Sequence, residues 1–139
     1  MRVLILLILF SSCSSLGSFS TKTSEESSYE KVSIEQVVLN PNFYHEKQIE
    51  LSGFFYKDLG YTSISEKKYS DPYESIWVDF NYKDNLLNAK NEELFKNDRL
   101  LNFSLQKIKI RGVFNKNKKG NLSAYSGSLT EITYFGSIN

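Results

Sequence analysis

His45 is the only histidine in the 139-residue chain, and Cys13 is the only cysteine. These two side chains are the ones suited to proton transfer near neutral pH, thiolate attack or ligation of a soft metal. Neither has the company such chemistry needs. A zinc site wants His-x-x-x-His or Cys-x-x-Cys spacing, and His45 has only Glu46 and Glu50 near it. Nucleophilic catalysis wants a nucleophile, a base and a group that orients the base. Serines are plentiful, but none sits in G-x-S-x-G and His45 is the sole base. Asp79 and Glu131 could face each other across a barrel, although solvated strand ends account for them equally. The residues predict no catalytic centre, no metal and no cofactor. His45, just past Asn40-Pro41, reads as a solvated loop residue.

Two other groups suit binding. Between Asp98 and Glu131 lie seven basic residues and no acid: Arg99, Lys107, Lys109, Arg111, Lys116, Lys118 and Lys119. Lys116, Lys118 and Lys119 fall in a predicted hairpin loop, where exposed binding residues gather. They suit an anionic protein, headgroup or polysaccharide, or simply a solvated face. The second group is aromatic, in a chain with nine Tyr, ten Phe and one Trp. Phe54, Phe55, Tyr56, Trp77, Phe80 and Tyr82 lie on early strands and read mainly as core and rim. Nucleic acid is not expected as a partner. Without Arg2, sixteen basic residues balance sixteen acidic ones, so no global field draws in a polyanion.

The amino end reads as an address. Met1-Arg2 is a charged start, Val3 to Phe10 is a continuous apolar run, and Ser11 and Ser12 are small. That pattern is an export signal, and its apolar run is shorter than the ~20 residues that span a bilayer. Phe10-Ser11-Ser12-Cys13 resembles the bacterial lipobox, with Phe10 where leucine is usual. The resemblance implies cleavage before Cys13 and its diacylation, hence a membrane partner. Ser14, in place of aspartate after the cysteine, points to the outer membrane where the cell has one. Residues 14–30 are rich in Ser and Thr without periodicity, the composition of a flexible tether. The expected organisation is a signal peptide over 1–12, an anchor and tether over 13–30, and a domain over 31–139.

Within that domain Ser33 and Gln36 form a capping box for a short helix that ends at Asn40-Pro41. Lys47 to Lys57, Tyr61 to Ser65 and Ser75 to Phe80 read as strands, with a turn at Asp58-Leu59-Gly60. Lys67 to Tyr73 reads as loop or a single helical turn. Ala89 to Leu100 has a weak apolar helical face. Lys107 to Phe114 alternates clearly, Asn115 to Asn121 turns with Gly120 supplying positive φ, and Leu122 to Tyr134 returns. Gly53, Gly112 and Gly127 suit bulges or bends in a curling sheet. Five strands with a helix between the third and fourth predict a mainly β (α+β) fold, a five-stranded, partly open OB-like barrel preceded by a short helix.

The domain also resembles a group of small bacterial OB-like proteins. The likeness rests on Val32-Ser33-Ile34, Asn40-Pro41 with Tyr44, Gly53-Phe54-Phe55, Ile76-Trp77-Val78-Asp79, Ile110 to Phe114, Lys119-Gly120-Asn121, Tyr125-Ser126-Gly127 and Ile132-Thr133. Asn121 departs from that group's Gly-His, so no histidine role carries over. The resemblance implies one β-rich domain and no activity. By analogy with OB folds, a ligand would meet the second and third strands, at Tyr61, Ser63, Trp77 and Asp79. The expectation is a non-catalytic envelope lipoprotein that binds a protein or an envelope polymer. The alternative is an immunity or inhibitor lipoprotein raised against an envelope-directed toxin.

Overall fold

The computed structural model describes residues 16–22 and 25–138. The expected signal peptide and Cys13 lie outside the described residues. Seven strands form one sheet: β1 (Ser18–Ser20), β2 (Glu30–Lys31), β3 (Gln48–Asp58), β4 (Tyr61–Ser65), β5 (Ile76–Val78), β6 (Lys107–Asn115) and β7 (Ser128–Ser137). Three short helices, α1 (Ile34–Leu39), α2 (Pro41–Tyr44) and α3 (Arg99–Asn102), join them. β3 pairs with β4, β4 with β5, β5 with β7, β7 with β6 and β6 with β3. Those five ladders close a circle, so the fold is an OB-like barrel that is closed rather than partly open. Only β5 and β7 run parallel within it.

The barrel closes because β3 serves two neighbours in turn. Gln48 to Phe54 pairs with β6, and Phe54 to Asp58 pairs with β4. At the hand-over a Cβ on Gly53 would stand 2.5 Å from Ile34 Cδ1 and 2.6 Å from the Ser65 carbonyl oxygen. A side chain there would push α1 and β4 away. The second tight point faces Gly112, where a Cβ would lie 2.5 Å from the Thr130 carbonyl oxygen. Arg111 pairs with Tyr134 but Val113 pairs with Thr130, so β7 carries extra residues opposite Gly112. Glu131 absorbs the bend at φ 50°. The bulge is therefore in β7 near Glu131 and not at Gly127. Gly127 is small for another reason: a Cβ there would meet the Phe114 ring at 2.5 Å. Valine at Gly53 or Gly112 should each destabilise the domain by ~1–3 kcal/mol or more, since packed backbone must move. A thermal melt of each variant checks this, and an unchanged midpoint for both would refute the close approach.

Phe55, Phe103, Phe114 and Phe135, with Ile49, Leu51, Ile64, Ile76, Ile108 and Ile110, fill the interior. The capping box over α1 is formed, with Ser33 Oγ accepting from Gln36 N–H and Gln36 Oε1 accepting from Ser33 N–H. Pro41 ends α1 as expected and also starts α2 as its first residue.

Three expectations need correction. The stretch 14–30 is not simply a tether: β1 pairs antiparallel with the end of β7, and Phe19 is 2% exposed in the core. One aromatic residue in a Ser-rich run suffices, because it drops into a core of aromatic partners. Phe19 meets Phe103 edge-on at 6.1 Å. β2 then runs parallel to β3. The helix expected over Ala89 to Leu100 is replaced by turns, leaving only α3 at its end. Asn88 Oδ1 accepts from the Lys90 and Glu92 amides, and Asn91, Asn97 and Asp98 take positive φ. Asparagine's side chain competes for backbone donors and tolerates the left-handed region, which outweighs a weak apolar face. The last strand begins at Ser128 rather than Leu122, since Leu122 and Ser123 sit at φ 56° and 53° in a 3₁₀ turn.

Candidate functional site

Trp77 lies at the centre of β5, on its outward face. Register aligns it with Ser63 on β4 and Ser128 on β7, and aligns Ser63 in turn with Tyr56 on β3. The two serines beside it are short, so the indole stands between low neighbours. The ring of Tyr61 meets it edge-on at 6.4 Å, and Tyr125 does so at 5.1 Å. Gly120 lies against its ring face. A Cβ there would come within 2.6 Å of the indole, and Gly120 adopts φ 66°. The hairpin glycine expected to permit a turn also makes room for the tryptophan.

The hairpin residues converge on the same place. Lys118 Nζ lies 3.7 Å from Asp79 Oδ2, with both side chains about half exposed. Ser128 Oγ donates to the Lys118 carbonyl at 2.6 Å, and Tyr125 N–H donates to the Lys119 carbonyl at 3.0 Å. Tyr61, Ser63, Trp77, Asp79 and Lys118, nominated from two separate parts of the sequence, thus form one surface. Ser63 takes part as a floor, being 6% exposed, and not as a contact. Lys116 departs from the group. Its Nζ donates to Asn42 Oδ1 at 2.8 Å, towards α2. Lys119 is exposed and forms no ion pair among the described residues.

Shallow grooves flank the aromatic ridge. One, about 230 Å³, runs between Lys57, Gly60, Trp77, Asp79 and Tyr82. The other, about 260 Å³, is lined by Tyr56, Ser63, Tyr69, Ser75 and Tyr125 among others. Burial pushes the Tyr125 phenol above its ordinary range, while a hydrogen bond with Ser63 opposes that shift. Burial first, and then the Asp79 charge, raises Tyr82. Tyr56 is raised by donating to Asp58. The three phenols are neutral at neutral pH, but Tyr56 already donates its O–H to Asp58 and Tyr125 is buried and hydrogen-bonded with Ser63, so Tyr82 is the exposed one of the three not committed in this way. The loops at this end add exposed apolar tips, Leu59 at 90% and Leu122 at 86%.

The basic run is broken up by the fold. Arg99 bonds Glu92 Oε2 at 2.6 Å and the Glu93 carbonyl at 2.9 Å. Arg111 is buried against Glu50. His45 is only partly solvated: its side chain is 23% exposed and its Nδ1 accepts the Lys116 amide at 3.2 Å, tying α2 to the hairpin. Among the described residues no cluster of three or more His, Cys, Asp or Glu side chains is placed to hold a metal. Glu131 is exposed on the β7 bulge.

Sequence reasoning placed Trp77 and the hairpin but did not join them. Both signals needed were present: Gly120 in the hairpin, and Trp77 alternating with Ser75 and Asp79 on the outward face of its strand. What periodicity lacks is the parallel pairing of β5 with β7, which puts Trp77 against the hairpin. No protein-family model matches the chain, and neither does any curated protein or solved structure.

Proposed function

We propose that this chain is an exported, lipid-anchored protein of a bacterial envelope, and that its barrel is a non-catalytic module binding a protein or an envelope polymer. One observation carries the binding reading: the exposed Tyr61 set edge-on against the half-buried Trp77, which the buried Tyr125 ring backs, with the Lys118–Asp79 pair at their side. Tryptophan and tyrosine offer large contact area at low entropic cost and dominate binding energy at interfaces. A ridge with grooves on both sides suits an extended or convex partner more than an enclosed small molecule.

The place of this ridge on the barrel supports the anchored reading. The chain enters the sheet where Ser18 pairs with Gly136, at the end of β7. Trp77 pairs with Ser128, at its start. β6, which spans both ends, is nine residues long, or ~27 Å over its eight steps. A domain tethered by its amino end would thus present the ridge away from the bilayer.

Trp77 is the only tryptophan, so its emission reports on the ridge without labelling. Titration with solubilised envelope fractions should shift that emission. Trp77→Ala should weaken capture of the same material at least tenfold, the cost of a central aromatic anchor. Full capture by Trp77→Ala would remove the ridge from consideration. The anchor has its own test. Cys13→Ala should abolish acyl-chain labelling and release the protein from membranes, because stable attachment takes two chains or more. Labelling that persists would place the anchor elsewhere.

A further inference from the structure

We propose that the lip of the barrel where the chain enters rests on an anionic bilayer surface, with Lys68, Lys107 and Lys109 facing the headgroups and Leu16 and Ile138 at the boundary. The inference deepens the anchored reading and takes Cys13 from it as the point of attachment.

The first observation is where the chain arrives. Ser137 N–H donates to the Gly17 carbonyl at 3.0 Å, and Ile138 N–H donates to the Lys107 carbonyl at 3.1 Å. The start of β1, the end of β7 and the start of β6 thus meet at one lip. The second is reach. Cys13 precedes Ser18 by five residues. A fully extended chain covers at most ~3.6 Å per residue, so at most about 18 Å separates the two. A domain of this size has a radius of gyration of ~14 Å, which corresponds to a sphere of about 18 Å radius, so the reach is about one radius. A lip held within one radius of the acylated residue has little room to turn away from the headgroups. With the whole of residues 14–30 free, the domain would stand off in any orientation.

The third is the chemistry of that lip. Leu16 is 40% exposed and Ile138 is 36% exposed, both beside the entry point. Lys107 is exposed, and Lys109 follows it on the same face of β6. Phe54 pairs with Lys107 in register, and Lys68 Nζ lies 5.5 Å from the Phe54 ring. The acid facing Lys109 is Glu26, already engaged by Lys31 at 3.4 Å and by Arg111 at 3.8 Å. Lysines lay apolar stems on apolar surface and extend the ammonium to polar groups. An apolar rim ringed by such lysines matches the acyl boundary and the phosphates above it. Near an anionic leaflet each ammonium adds attraction that decays within a Debye length.

The full chain can be coupled through Cys13, its only thiol, to a maleimide-bearing lipid in vesicles of phosphatidylglycerol and phosphatidylcholine. Lysine acetylation is then followed by mass spectrometry. Modification of Lys68, Lys107 and Lys109 should slow about threefold or more at low salt and recover near 0.5 M salt, where the Debye length falls below about 8 Å. Lys116 and Lys119, at the other end of the hairpin, should react as on vesicles of phosphatidylcholine alone. Equal rates for both sets, or equal slowing of both, would overturn the proposal. So would continued protection of Lys68 in the K107E/K109E variant. Coupling by maleimide holds the chain at the bilayer whether or not the cell acylates Cys13. The intact mass of the chain recovered from cells decides that separately, so the two readings fail independently.

Discussion

Replacing Arg111 by methionine is expected to destabilise the domain by ~3–5 kcal/mol, seen as a lower urea midpoint at an unchanged slope. Arg111 Nε donates to Glu50 Oε2 at 2.7 Å, with the two side chains 8% and 4% exposed. The guanidinium also lies 4.3 Å from the Tyr134 ring centroid, and Glu26 approaches its Nη2 at 3.8 Å. Methionine keeps much of the apolar stem but strands a carboxylate where water barely reaches. The effect should therefore be a penalty of isolation and not the worth of the pair. Glu50→Leu combined with Arg111→Met should recover most of the loss, because removing both charges removes the desolvation each requires. A single variant that melts like the parent would show that water or movement relieves Glu50. A double variant no better than the single would show that packing of the arginine stem dominates.

Phe135→Ala should cost a similar ~3–5 kcal/mol, for a different reason. Phe135 is fully buried and its ring is met edge-on by Phe55 at 5.0 Å, Phe103 at 4.9 Å and Phe80 at 5.6 Å. These partners come from β3, the residue after α3, and the stretch two residues beyond β5. Truncation opens a void that three rigid rings cannot fill by changing rotamer. A small domain has ~5–15 kcal/mol in total, so the variant should lie close to unfolding at 37 °C. Chemical denaturation reads the loss. A cost below about 1 kcal/mol would mean that the surrounding rings collapse into the gap.

The sequence exposed strands more readily than helices here, and residues more readily than their partnerships. β3, β4 and β6 were legible because apolar and polar residues alternate along them and Gly, Pro or Asn bounds them. The segment from Ala89 to Leu100 was misleading because its apolar residues, Leu94 and Phe95, do face the core, but from turns set by asparagine side chains. β1 was invisible. Three residues form no period, and only Phe19 marks it. Glu50 and Arg111 each sat on a strand face that alternation assigns to solvent. Finding them as a pair required the register of β3 against β6, which aligns them directly. The candidate site divides the same way. Trp77, Asp79 and Lys118 were each identifiable, while their meeting depends on the parallel ladder between β5 and β7, the one parallel pairing within the closed barrel.

The pairing of β1 with β7 also governs when the barrel can be finished. Ser18 and Gly136 are partners across nearly the whole length of the chain. With the neighbouring Ser137–Gly17 hydrogen bond it is among the contacts most distant in sequence within the described residues, and closing it is slow because so much chain must first be ordered. A chain delivered amino end first therefore holds Phe19 in waiting until its last strand has emerged. Up to that moment the core lacks Phe135 and the ring packing that holds Phe19. The export proposed above would be served by such a delay. A barrel whose seam joins the first and last of its described strands acquires that delay from topology alone, and would lose it under a circular permutation that brought β1 and β7 together in sequence.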